Sequence, residues 1–276
     1  MWAPDSTHII SLTSSAPIYE CLQEHLPNVH MFPACDYRNT APEELLRAKA
    51  ISPMGYKSMI TGRRRHEELG SPAAVGIWHS VRQIHRQCMS QSWVLILEED
   101  CEIKSMPEFI SLISEICNPH KGFSDIDCLV IGCHGEEKHM LSQSVAGLVI
   151  YKPVFFWGVQ CVLWSQKGMQ TLNDLMSGVP LDMQYDHLLY TLGHTSGFDV
   201  WCCDGITKQD SRPTTIQTAC KHCEPIGQYW PPVAPAAFKR KSKHITVIIV
   251  CATAVILIVL WLWMSKRAKR LSYQIM

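Results

Sequence analysis

The chain has 276 residues, with 25 basic and 25 acidic side chains and a formal net charge of zero. That balance leaves no electrostatic footprint for a general nucleic-acid binder. A content of 47% hydrophobic against 18% charged residues excludes a disordered chain and fits one large domain with appendages.

The first 20 residues, MWAPDSTHIISLTSSAPIYE, have no basic leader and no useful apolar run, so no signal peptide is expected. Hydrophobic patterning predicts a short strand at residues 8–12 (HIISL), a helix at 17–26 and a second strand at 29–32. Arg63, Arg64, Arg65 and His66 form a basic run. It is read as a solvated loop, with a donor diphosphate or an anionic lipid as the alternative ligand. Residues 75–88 have helical spacing, with Val75, Trp78, Val81 and Ile84 on one side. His79 on that helix is either a contact to donor phosphates or a satisfied histidine.

Residues 93–97, WVLIL, form a fully apolar strand that runs straight into Glu98, Glu99 and Asp100. Three adjacent carboxylates are costly to desolvate, so a cation or water has to meet them. A helix is expected at 107–117, strands at 128–132, 147–151 and 159–164, a helix at 167–176 and a last strand at 198–202. Continuous apolar strands alternating with helices predict an α/β fold, a mostly parallel sheet flanked by helices. Ligands bind such sheets off the carboxyl ends of the strands, where Glu98 and Asp100 fall. Oxygen ligands in that place suit Mn²⁺ or Mg²⁺; the alternative is an acidic loop in water. Asp125 and Asp127 form a second acidic pair, but they precede their strand and so lie at the wrong end for a ligand. Trp157, before Gly158, is read as either a sugar-stacking ring or a core aromatic.

Residues 1–223 are therefore the expected working domain. Residues 224–244 are a linker, proline-rich and then basic. Residues 245–264, ITVIIVCATAVILIVLWLWM, are 20 uncharged residues, enough at about 1.5 Å each to cross a bilayer core. Trp261 and Trp263 suit the interface, and basic residues flank both ends, so charge does not set the orientation. The short basic tail, 265–276, makes a carboxyl-terminal anchor with a cytosolic domain the simplest topology, a lumenal domain being the other. The odd count of 13 cysteines favours free thiols over a disulfide framework. Cys220 and Cys223 with Cys202 and Cys203 are a weak candidate for structural zinc.

Several blocks, in order, resemble glycosyltransferase family 25, which includes lipooligosaccharide glycosyltransferases and collagen galactosyltransferases. They are HIISL followed by PACD, then WVLILEED, DIDCLVIG, VQCVLWSQKGMQTL and PLDMQYDHLL, covering about residues 7–215. The resemblance implies a GT-A-like fold, a nucleotide-sugar donor of the UDP class and Mn²⁺ or Mg²⁺. The chain is then expected to move a hexose, of the galactose or glucose class, to a hydroxyl on a glycan, protein or lipid with inversion. Carried over by position, Asp100 is the firmest metal ligand, with Glu98 beside it and His79 near the donor. Asp186 is the candidate base, and Asp182, one helical turn earlier, its alternate; the other reading makes both the acidic start of a helix. The helix before the acidic strand reads His79-Ser80 where the family has Ser-His, and TSSAPIYE lacks the family's early arginines. Those differences keep an alternative in view: a catalytically inactive, glycosyltransferase-like membrane scaffold. A third reading is an unrelated, tail-anchored, cysteine-rich metal or redox protein.

Overall fold

A computed structural model of the chain describes residues 2–65, 67–135, 141–195 and 197–209. The expected linker, membrane span and basic tail, and Cys220 with Cys223, lie outside the described residues. Among the described residues no helix is long and apolar enough to cross a membrane.

The chain opens with β1 (Ser6–Ser11), buried along its whole length, then α1 (Pro17–Gln23) and β2 (Val29–Pro33). Three helices follow, α2 (Pro42–Arg47), α3 (Pro53–Thr61) and α4 (Pro72–Gln87). Then come β3 (Trp93–Glu98), β4 (Cys101–Ile103) and α5 (Met106–Ile116). Each of these five helices carries proline in its first or second position, where the missing N–H has no intrahelical partner to lose. After β5 (Cys128–Ile131) and the short β6 (His134–Gly135), β7 (Leu141–Val145) and β8 (Leu148–Lys152) form a hairpin. Its turn places Ala146 and Gly147 at φ of 50° and 80°, the left-handed pair that a tight two-residue hairpin needs. The chain continues through β9 (Phe156–Trp157), β10 (Cys161–Ser165), α6 (Gln166–Leu175), α7 (Tyr185–Thr195), β11 (Val200–Cys203) and β12 (Thr207–Gln209).

Eight strands form the main sheet in the order β2-β1-β3-β10-β5-β11-β8-β7. β1, β2 and β3 are mutually parallel, and β5 is parallel to β11, but β10 runs antiparallel between β3 and β5. The β8 and β7 pairings are antiparallel too, so the sheet is mixed where a mostly parallel one was expected. The reason lies in the connections. No helix separates β7, β8, β9 and β10, so this stretch has no helical crossover of the kind that parallel neighbours require.

Helices cover both faces. One face packs Ile9, Leu95, Leu97, Leu129 and Leu163 against Leu22, Phe109, Leu112 and Ile113 of α1 and α5. The other carries α4, α6 and α7, with the His85 ring 4.4 Å from that of Trp164. Cys202 and Cys203 are adjacent in β11 and both buried; Cys203 faces the α5 side of the core and Cys202, by strand alternation, the other. They cannot serve one zinc together. All ten cysteines among the described residues are free thiols.

Candidate active site

The apolar run of β3 is buried up to Leu97, and the strand ends at Glu98, level with Ile10 of β1. Neighbouring strands pin its acidic end. The Glu98 N–H donates to the Gln160 carbonyl at 2.9 Å, and the Glu99 N–H to the Ile10 carbonyl at 3.1 Å. The three carboxylates then separate. Glu99 turns back to the end of β1, where it accepts from the Ser11 hydroxyl. Asp100 leads into β4, which β12 pairs, and that pairing brings the Gln209 amide to Asp100 Oδ2 at 2.8 Å. The other oxygen, Asp100 Oδ1, is buried with no hydrogen-bond partner. Glu98 stands above a small pocket lined by Ile10, Val159, Val162, Trp164 and Tyr185. Burial in that surrounding, and then the charges of Asp100, Asp186 and Glu99, push its pKa from 4.5 up to about 8.

Asp186 comes to the same place from α7. It lies in the first helical turn, where an acid suits the helix dipole. Its Oδ1 accepts the His187 N–H at 2.8 Å and its Oδ2 accepts the Gly158 N–H at 3.3 Å. Gly158 has φ +83°, a backbone that side chains resist, and this turns its N–H toward the carboxylate. Asp182 is placed differently from the expectation. It is not one helical turn ahead of Asp186, because α7 starts at Tyr185. It sits on an extended segment tied by the bridges of Leu181 to Ile51 and Met183 to Glu68. Backbone pairing holds that segment out of the helix that periodicity suggests.

His79 is on α4, as expected, and its Nδ1 is 2.9 Å from the Tyr37 hydroxyl, with the rings edge to face. Burial, then Arg82 and Arg86, lower its pKa and favour the neutral ring. Ser80 fastens the loop after β2: its hydroxyl accepts the Cys35 N–H at 2.8 Å and donates to the Gly76 carbonyl. Gly76 is required there, since a Cβ would stand 2.2 Å from the Cys35 carbonyl oxygen. The same loop carries Asp36 and Arg38 in a two-bonded pair, and Arg38 also feels Glu99.

The residue that sequence reasoning underrated is Arg63. Its side chain lies across Gly70, where a Cβ would approach its Cδ and Nε to 3.0 Å. Burial lowers its pKa, while Asp186 and Glu68 act in the opposite sense. Glu68 accepts the Arg64 N–H at 2.6 Å, and the Gln184 N–H donates to the Glu67 carbonyl at 2.8 Å. The basic run is thus clamped to the segment that leads into Asp186. Arg63 lies within electrostatic reach of Asp186.

The donor set fits a hard divalent cation: carboxylate oxygens, one of them buried and unpartnered. Among the described residues no three His, Cys, Asp or Glu groups converge to hold a metal by themselves. An ion here would take its remaining ligands from substrate phosphate and water, the usual habit of Mg²⁺. Asp127 Oδ1 is likewise buried without a hydrogen bond, but a lysine ammonium meets it. Asp127 is buried at the amino end of β5, accepts the Asp199 N–H at 2.7 Å and pairs with Lys167 at 3.2 Å.

Among solved structures, the chain is similar to a glycosyltransferase involved in the glycosylation of the major capsid of PBCV-1. The identity is 12%, the TM-score 0.27, and the match covers 62% of this chain and 65% of that one. The chain thus matches just under two thirds of that structure's length. No protein-family model matches the chain, and no curated protein matches it. A likeness of that degree leaves the residues of the site to carry any functional reading.

Proposed function

We propose that the chain is a membrane-anchored glycosyltransferase that moves a hexose from a nucleotide sugar to a hydroxyl acceptor with inversion. The donor is of the UDP-sugar class, the hexose of the galactose or glucose class, and the anchor is residues 245–264. One observation carries the reading: Glu98, at the carboxyl end of a central strand, lies within electrostatic reach of both Asp100 and Asp186 of α7, and one buried Asp100 oxygen has no hydrogen bond. The ordered blocks that resemble family 25 support it.

Mn²⁺ or Mg²⁺ held by Asp100, with Glu98 beside it, would supply Lewis-acid neutralisation of a diphosphate leaving group. The chain's own residues do the rest. Asp186 is held in place by two backbone N–H groups. From that position it takes the proton of the acceptor hydroxyl as that oxygen attacks, a general-base role worth typically 10²–10⁴-fold in rate. Arg63 places a positive charge within electrostatic reach of Asp186. The loop of Asp36 and Arg38, locked onto α4 by Ser80, walls the donor side.

The test incubates the full chain, in detergent, with a panel of nucleotide sugars and Mn²⁺, and follows release of nucleoside diphosphate. Release by the wild type, abolished by chelator and reduced at least 10³-fold in Asp100→Ala, is expected. No release and no donor binding from folded protein would sink the enzyme reading in favour of the inactive scaffold.

A further inference from the structure

We propose that Phe155 and Trp157 form the acceptor subsite and that the acceptor is a carbohydrate, presenting a pyranose ring. This rests on the transferase reading and names the class of its second substrate.

The backbone around β9 alternates. Phe156 is fully buried, while Phe155 and Trp157 are partly exposed. Their ring centroids are 5.5 Å apart. Phe155 is braced from behind by α7, with the Tyr190 ring 5.1 Å away and nearly perpendicular, and the His187 ring at 5.9 Å. The result is a supported aromatic shelf that keeps some surface open.

Two covalent neighbours tie the shelf to the candidate base. Gly158 follows Trp157 and gives its N–H to Asp186 Oδ2. His187 follows Asp186 and touches Phe155. Any movement of one element is felt by the other, so the distance between shelf and carboxylate is fixed by the fold.

A pyranose suits such a site. One side of the ring presents C–H groups, which rest on an aromatic face, and its rim presents hydroxyls. A ring on the shelf would turn a rim hydroxyl toward Asp186. Binding sites of this kind combine aromatic walls with a few placed polar groups. A hydroxyl on a peptide side chain arrives on a flexible stem and gains little from a flat shelf.

The test measures binding without donor, metal or turnover. Saturation-transfer NMR is recorded on the full chain in detergent with methyl β-D-galactopyranoside, methyl β-D-glucopyranoside and a hydroxylysine peptide. Transfer to the ring C–H protons of a pyranoside is expected for the wild type. It should fall about tenfold in Phe155→Leu and in Trp157→Leu, each checked for folding by circular dichroism. Pyranoside signals that persist in both folded leucine variants would overturn the proposal. So would their absence from the wild type, or binding of the peptide alone. Pyranoside binding by a chain that releases no diphosphate would keep the subsite and defeat the transferase reading, so the two failures are distinguishable.

Discussion

Asp127 and Asp100 each end a short acidic run beside a buried strand of one sheet, at opposite ends of it. At the amino end of β5, Asp127 is tied into the fold: its Oδ1, like that of Asp100, has no hydrogen bond, but the Lys167 ammonium meets it as an ion pair. The Asp127 carboxylate also takes the Asp199 N–H, and its carbonyl takes the Ser165 N–H at 3.1 Å. Gly168 packs so close that a Cβ would meet the Asp127 carbonyl oxygen at 1.9 Å. At the carboxyl end of β3, Asp100 keeps one buried oxygen with no partner, and Glu98 beside it is pressed toward its neutral form. A buried polar atom without a partner costs about 1–3 kcal/mol, which a bound cation at Asp100 would offset. The two acids have the same chemistry; what separates them is which end of the sheet they occupy.

That contrast can be broken from either side. One effect on stability is expected at the closed end. Asp127→Ala removes the acceptor of the Asp199 N–H and the partner of Lys167, and should lower unfolding free energy by about 1–3 kcal/mol in urea titration. Affinity for Mn²⁺ should not change. An effect of opposite sign is expected at the open end. Glu98 has a folded-state pKa of about 8 against 4.5 unfolded, so below pH 4.5 the proton is bound in both states. As pH rises from 4.5 to 8 the unfolded chain releases that proton first, and wild-type stability falls. Glu98→Gln removes this penalty. In metal-free protein it should raise the melting temperature at pH 8 and leave it unchanged at pH 4. A loss of stability at pH 8 would show that Glu98 is held charged by something in the fold.

Much of this was legible from residue order. The apolar run 93–97 announced a buried strand, and the rule that ligands meet strand carboxyl ends separated Glu98 and Asp100 from Asp125 and Asp127. What escaped was set by tertiary contact. The β7–β8 turn uses Ala146-Gly147, which lacks the Asn-Gly or Asp-Gly signal of tight hairpins. α2 and α3 are short, six and nine residues, and their periodicity is weak. The direction of β10 depends on the connection before it, not on its own apolar residues. Asp182 looked helical by its spacing to Asp186, yet two bridges from distant residues hold it extended. Arg63 was one of three identical letters in a basic run; only the docking of Glu67 and Glu68 onto residues 183–184 sets it apart.

The most direct test is calorimetric titration of the full chain with UDP, with and without Mn²⁺, for the wild type, Asp100→Asn and Asp127→Asn. The account predicts Mn²⁺-dependent UDP binding by the wild type. Asp100→Asn should weaken it at least 100-fold, and a folded Asp127→Asn should leave it unaltered. Equal UDP binding by wild type and Asp100→Asn, or none by folded wild type, would contradict a metal and donor site at the carboxyl end of β3.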